Sequence, residues 1–590
     1  MFSSRLSSNR HKKPSIALKF EIYGRSRETR TDYGARRRPS AAKWRYVVKI
    51  EHVEAMAGRA ASQALACALN PVFLITIFTI FAATGLLSLH HAIWQDESML
   101  MANLGVGWAG YFQPLPFYDQ AAPPFVTATL AAMADVTGGN LLGMRALVLA
   151  VMLVSFAVLL WLAVKRRAPV FAYAVLIVMS GYLTVRNATE IKHYMFELLA
   201  TLILLAAYLM ARNAGSLRHG VIFFALALVL SFFAYPAFLI VFPILADIVL
   251  TRTSGRQRLY WVLGAVGYGV VWIAAYLTIF KPQTALQLAN YSALYGGSLI
   301  LQALKAGNLH GLTMTVRAIA GALPYVTVGV AILALLWLGL TSARPVLKRS
   351  SSMASALLEP GQAPLRLFVL VYGELLLLNL AGLYPLSSPR QLTFTMPVTA
   401  LLLAWAIGLA LERVPSQKRQ GWIAAAILLP AMLFHLGYAA ITGFERQDTA
   451  GLYAFLQQSG TRTVLPWIQF QPSLAYYEQQ SGKVDYRIAG ALTRESQRLP
   501  SREDAVALLA SNDKPVPQQI WALIPDEDMR YYTDWLARQA PRGEPATIAT
   551  AQMLPEEEAM LLRSLEQAGC TGKTVFAARD VKAIETNCTP

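Results

Sequence analysis

Two short stretches of the chain concentrate residues able to move protons and hold anions. "HHAIWQDESMLMANLG", His90 to Gly105, places adjacent carboxylates at Asp96 and Glu97 directly after an apolar run. "VRNATEIKHYMFELL", Val185 to Leu199, gathers Arg186, Glu190, Lys192, His193 and Glu197 within one short segment. A carboxylate beside a hydroxyl or amine takes its proton, while Arg or Lys neutralises a phosphate ester as it leaves. Such a set suits transfer between a lipid-linked phosphate ester and a hydroxyl or amine acceptor. Arg390, in "YPLSSPRQLTF", is expected to bring a further cation to the same face.

Neighbouring residues on a helix differ by about 100° in direction, so Asp96 and Glu97 cannot both face one cavity. If one of them is a general base, the other is structural. If the helix after "TEIKHY" begins early, Glu190, Tyr194 and Glu197 share one face, with Glu197 about a turn inside the bilayer, where an acid is costly. The plainer alternative is a Glu190–Lys192 or Glu197–His193 bridge that fixes helix ends. His90 and His91 cannot both point inward from one helix and read as interfacial residues. Cys67, Cys570 and Cys588 lack metal-ligand spacing, so no metal or other cofactor is expected. Cys570 and Cys588 could bridge if the end of the chain is exported; two free thiols fit the sequence equally well.

The elements that must position these residues are set by composition. The 590 residues are 55% hydrophobic and 15% charged, with positive mean hydropathy, which indicates a mostly α polytopic membrane protein. Apolar runs near 71–90, 144–164, 168–185, 194–211, 259–280, 318–341, 366–384, 392–411 and 421–441 can each cross a bilayer. The run 219–251 is too long for one crossing, and Pro236 in "AYPAF" splits it, giving about 11 spans. The connecting loops divide by charge: 15 Lys/Arg fall on the predicted inner side and six on the outer, with none from His90 to Met144. This asymmetry puts the N-terminus in the cytoplasm and the C-terminal domain in the periplasm.

Three regions result. Residues 1–65 form a basic, disordered cytoplasmic tail with 15 Lys/Arg against 5 Asp/Glu in its first 60 positions; the positive-inside rule accounts for it without a nucleic-acid partner. Met56 is an alternative start. Residues 66–443 are the membrane domain, whose first outer loop, 91–142, carries short interfacial segments with Trp94, Trp108, Tyr111 and Phe112 at headgroup level. Residues 444–590 alternate helix-like and strand-like segments, as in a small α/β domain, without a glycine-rich phosphate cradle.

The acidic "DE" after the first span, the loop ending "YDQAAPPF" with Asp119, Arg145 at the start of the next span, and "TEIKHY" together resemble bacterial GT-C glycosyltransferases. These are the polytopic enzymes related to protein O-mannosyltransferases and to the aminoarabinose transferase of lipid A. The resemblance implies a GT-C-like fold in a bacterial inner membrane, Asp96 as catalytic carboxylate, and inverting transfer of a sugar from a polyprenyl-phosphate donor to a lipid, glycan or protein acceptor. The aminoarabinose branch carries Lys before the paired prolines, where this chain has Ala122. Phosphate contact is therefore expected from Arg186, Lys192 or Arg390. A multi-span transporter and a non-catalytic envelope-polysaccharide assembly protein are the alternatives, since acids such as Glu197 and Glu374 also mark ion paths.

Overall fold

The computed structural model describes residues 69–118, 120–214, 217–251, 255–285, 299–305, 362–386, 390–481, 487–488, 502–510 and 529–590, with Leu65, Ala66 and isolated positions from 313 to 333. The basic tail, Asp119, most of the run 318–341, most of the linker 348–364 and the strand-like 518–525 lie outside the described residues.

Among these residues, seven helices are long and apolar enough to cross a membrane: Pro71–Ser88, Leu141–Lys165, Tyr194–Arg212, Gly255–Ala285, Ala363–Leu380, Thr393–Leu411 and Gln417–Thr442. Pro169–Met179, Arg218–Ser231 and Tyr235–Thr251 are shorter apolar helices. Ten of the expected spans thus fall on helices, three of them below full crossing length. The break in the 219–251 run is local chemistry. Helix Leu217–Ser231 ends, Tyr235–Ala237 forms one 3-10 turn containing Pro236, and helix Phe238–Thr251 follows.

Chain chemistry also fixes where helices begin. Asn70 accepts a hydrogen bond from the Phe73 amide at 2.8 Å ahead of Pro71, and Asn140 accepts from Gly143 at 2.9 Å. Helices 169–179 and 396–411 pack against each other and are enclosed by protein on nearly all sides, so they are apolar all round. Gly85 permits close approach of the first two long helices, since a Cβ there would meet Leu149 Cδ1 at 2.5 Å. One buried cluster inside the bundle pairs an acid with a cation and a phenol. Arg366 Nε donates to Asp247 Oδ1 at 2.6 Å, and Tyr208 Oη donates to Asp247 Oδ2 at 2.6 Å.

The C-terminal part has a five-stranded sheet in the order β2-β1-β3-β5-β4, formed by β1 Thr463–Pro466, β2 Arg487–Ile488, β3 Ala546–Ala551, β4 Cys570–Ala578 and β5 Val581–Cys588. β2, β1 and β3 are parallel, while β5 and β4 add antiparallel to β3. A disulfide joins Cys570 and Cys588 across the last pair. The helix-like segments of the sequence fall on helices 449–458, 502–510, 529–539 and 555–567; helix Gln471–Ser481, β2 and β3 are additions.

Breaking one partner of a buried ion pair leaves the other charge uncompensated. Arg366→Ala is expected to lower stability by about 3–5 kcal/mol, read as a fall in Tm of the detergent-solubilised protein, with part recovered in Arg366→Ala/Asp247→Ala.

Candidate active site

The helix Gln95–Met101 follows the first span and carries both acids in its first turn. The two side chains diverge. Glu97 is fully buried, and its carboxylate accepts from Arg145 Nη2 at 2.6 Å, Arg145 Nε at 3.4 Å and the Ile191 amide at 3.0 Å. Arg145 is also fully buried; its Nη1 donates to the Leu89 carbonyl at 3.1 Å and to that of His91. His91 Nε2 lies 3.6 Å from Glu97 Oε2. Burial alone would raise the Glu97 carboxyl, but the Arg145 charge and the hydrogen bond and charge of His91 hold it well below the usual carboxylate range.

Asp96 points the other way. Its Oδ2 accepts from Arg390 Nη1 at 3.2 Å, and both side chains keep solvent access. Arg390 also lies over the Trp94 ring at 4.7 Å, and Arg446 lies over the same ring at 3.7 Å. Arg446 pairs with Glu190 and reaches Asn187 Oδ1 at 3.3 Å. Burial brings the Arg446 guanidinium down to about 10, against the pull of Glu190, so it stays charged. Lys192 is buried and donates to Gln120 Oε1 at 2.7 Å. Burial lowers its ammonium, Asp96 opposes that shift and Arg390 adds to it. Tyr194 lies within electrostatic reach of Asp96, Arg390, Glu197 and Glu190.

Asp96, Glu190, Lys192, Tyr194 and Arg390 are therefore brought together, with Arg446 added. Several buried polar atoms around them have no hydrogen-bond partner among the described residues: Trp94 Nε1, Asn187 Nδ2, Thr189 Oγ1, Glu190 Oε2 and Arg446 Nε and Nη1. Groups of this kind call for a ligand or water. The sequence missed Arg446 because it falls after the last span, among residues counted with the C-terminal domain rather than with the loops. Gln120 was missed because an uncharged amide gives no signal.

Other expectations change. The helix begins at Tyr194, so Glu190 sits in the preceding loop and pairs with Arg446, not Lys192. His193 Nε2 is 3.8 Å from Glu197 Oε1, but burial and then Lys192 push the ring down to about 3, so a neutral imidazole meets that acid rather than an ion-pair partner. Arg186 stacks over Tyr182 at 5.7 Å. His91, Trp94 and Tyr111 are buried rather than interfacial, because the C-terminal segment and the loop itself cover them; Trp108 is exposed. Thr449 Oγ1 donates to the Ile93 carbonyl at 2.5 Å, Gln447 Oε1 accepts from the Gln95 amide at 3.2 Å, and Ser473 meets Ser98 at 3.2 Å. Ala122 is buried and its carbonyl accepts from Tyr235. Lys192, two residues away through Gln120, brings a cation beside this stretch from a different loop.

A many-helix membrane bundle, a first loop folded onto its end and a small mixed-sheet domain define a polytopic membrane protein with the GT-C fold. The crystal structure of ArnT from Cupriavidus metallidurans bound to undecaprenyl phosphate is similar, with a TM-score of 0.51 at 13% identity over 87% of this chain and 97% of that one. The apo structure of the same protein gives 0.50 at 12% identity, with the same coverage. No protein-family model matches the chain, and no curated protein sequence does.

Glu97→Gln keeps the side chain's size and removes the charge opposite Arg145. A carboxylate depressed below its ordinary value of 4.5 contributes its full stability above that pH and loses it as pH falls toward the folded value. The stability gap between wild type and Glu97→Gln should hold steady from pH 8 to pH 5 and narrow only below about 4.5. Thermal unfolding across that range checks this; a gap already shrinking at pH 6 would contradict the buried pair.

Proposed function

We propose that the chain is a membrane glycosyltransferase that moves a sugar from a polyprenyl-phosphate donor to a hydroxyl or amine of a lipid, glycan or protein acceptor. The observation that carries this reading is the partly open Asp96 carboxylate, held by Arg390 beside Lys192 and Tyr194, at one end of a GT-C bundle. It is supported by the fold shared with a protein whose structure holds undecaprenyl phosphate.

Asp96 accepts the acceptor's proton as the acceptor oxygen or nitrogen bonds to the anomeric carbon. The bond from that carbon to the phosphate oxygen breaks on the opposite face, and polyprenyl phosphate leaves with the electron pair, inverting the centre. Arg390 and Lys192 take the growing phosphate charge, and Arg446 reinforces the positive field. A phosphate arriving next to Lys192 restores the ammonium that burial disfavours. Glu97 is a positioning residue that fixes the direction of Asp96. Asp119 and Glu197 are kept as substrate-facing candidates, and Arg186, near the end of helix Tyr182–Asn187, as a phosphate candidate. The site faces the periplasm of a bacterial inner membrane, with the N-terminus cytoplasmic and the C-terminal domain periplasmic. This follows from the loop charge asymmetry.

In membranes supplied with a polyprenyl-phosphate sugar, Asp96→Asn is expected to abolish transfer with expression intact, while Arg390→Gln and Lys192→Gln each reduce it by about 10²–10³-fold. Full activity of Asp96→Asn, or a deletion strain that loses uptake with unchanged glycans, would overturn the reading. A reporter fused at the C-terminus should be exported; cytoplasmic signal would reverse the orientation.

A further inference from the structure

At the other end of the bundle, away from Asp96, three helices enclose a cleft of about 390 Å³. They are Leu141–Lys165, Tyr194–Ala214 and Leu217–Ser231. Small side chains at Ser155, Ala206 and Ala207 leave the space, and Val158, Met210 and Ile222 flank it. Val158 and Ile222 remain exposed, so the cleft opens sideways toward lipid rather than into the bundle. Its volume lies in the range of ligand sites, about 300–1,000 Å³. Its lining is almost entirely apolar, with the ring of His219 at one end.

The same end of these helices is densely cationic. Lys165 is the last residue of the first helix and is followed by Arg166 and Arg167, Arg212 lies in the last turn of the second, and Arg218 lies in the first turn of the third beside His219. Lys165 Nζ lies 4.6 Å over the exposed ring of Trp161, an arrangement that marks the headgroup level. No acid occurs in the sequence from Val136 to Thr189 or from Leu198 to Ala246. Asp247, on the neighbouring helix Phe238–Thr251, is engaged by Arg366 and Tyr208. An apolar slot leading to a rim with exposed Lys165, Arg166 and Arg218 matches one chemistry, an acyl chain carrying a negative headgroup.

We propose that this cleft is a binding site for an anionic phospholipid of the leaflet opposite Asp96, with one acyl chain against Ala206 and Ala207 and the headgroup phosphate paired by Lys165, Arg166 and Arg218. The site is independent of the transfer chemistry. It links the second, fourth and fifth apolar helices through a lipid where side-chain packing leaves a gap, and it selects phospholipids by charge.

The test uses the full chain in nanodiscs containing equal phosphatidylglycerol and phosphatidylcholine, with retained lipid counted by native mass spectrometry. Phosphatidylglycerol should be retained preferentially. Lys165→Gln, Arg166→Gln and Arg218→Gln, all at exposed positions, should each lower that preference by about fivefold. Ala206→Phe fills the slot with the rim intact and should abolish retention of the lipid. Equal retention of both lipids by the wild type would overturn the proposal, as would a preference unchanged by the charge substitutions. If Ala206→Phe fails to fold, the three surface variants decide alone. The readout is bound lipid, so loss of the transferase reading leaves it standing.

Discussion

The buried Glu97–Arg145 pair is the constraint on which the candidate site depends. Arg145 stands at the start of the second long helix, Glu97 on the short helix after the first, and Ile191 on the loop before the fourth apolar run. One carboxylate thus ties three separate parts of the chain, and the guanidinium gathers the carbonyls at the end of the first span. Two charges without solvent are tolerated only because their hydrogen-bonding capacity is filled on both sides. The geometric consequence falls on the adjacent residue. With Glu97 turned inward, Asp96 must turn outward, toward Arg390 and the cations of the next loop.

The second constraint is aromatic. Trp94, immediately before the acidic helix, presents its ring to both Arg390 and Arg446. Arg390 comes from the loop before helix 396–411, and Arg446 from the segment that leaves the last span. The indole therefore holds like charges near one another, an arrangement that Asp96 and Glu190 stabilise by pairing with one guanidinium each. The C-terminal part is a structural participant in this site. Gln447, Thr449 and Ser473 all bond to the stretch 93–98, closing a roof over groups that would otherwise face water.

The two ends of the bundle contrast in charge. At one, carboxylates and cations interlock at short range in partly buried surroundings, where electrostatic interactions gain strength. At the other, exposed cations line the helix ends with few acids nearby, as an anionic leaflet would favour. Within the bundle, Arg366 and Tyr208 both donate to Asp247.

The sequence alone determined the membrane class and the positions of most helices, and it singled out candidate site residues, because hydropathy over about 20 residues and charges in loops are local properties. The break at Pro236 and the caps at Asn70 and Asn140 are equally local, and the lack of cations from His90 to Met144 already isolated the acidic loop. Helical geometry further showed that Asp96 and Glu97 must diverge. Only the tertiary structure decided that Arg145 and Ile191 are the partners of Glu97, that Glu190 pairs with Arg446 rather than Lys192, and that Trp94 is enclosed rather than interfacial. Those contacts join residues from about 50 to more than 350 positions apart. No periodicity or spacing encodes such pairings; they arise when buried charges must find compensation among whichever groups the packed helices bring near.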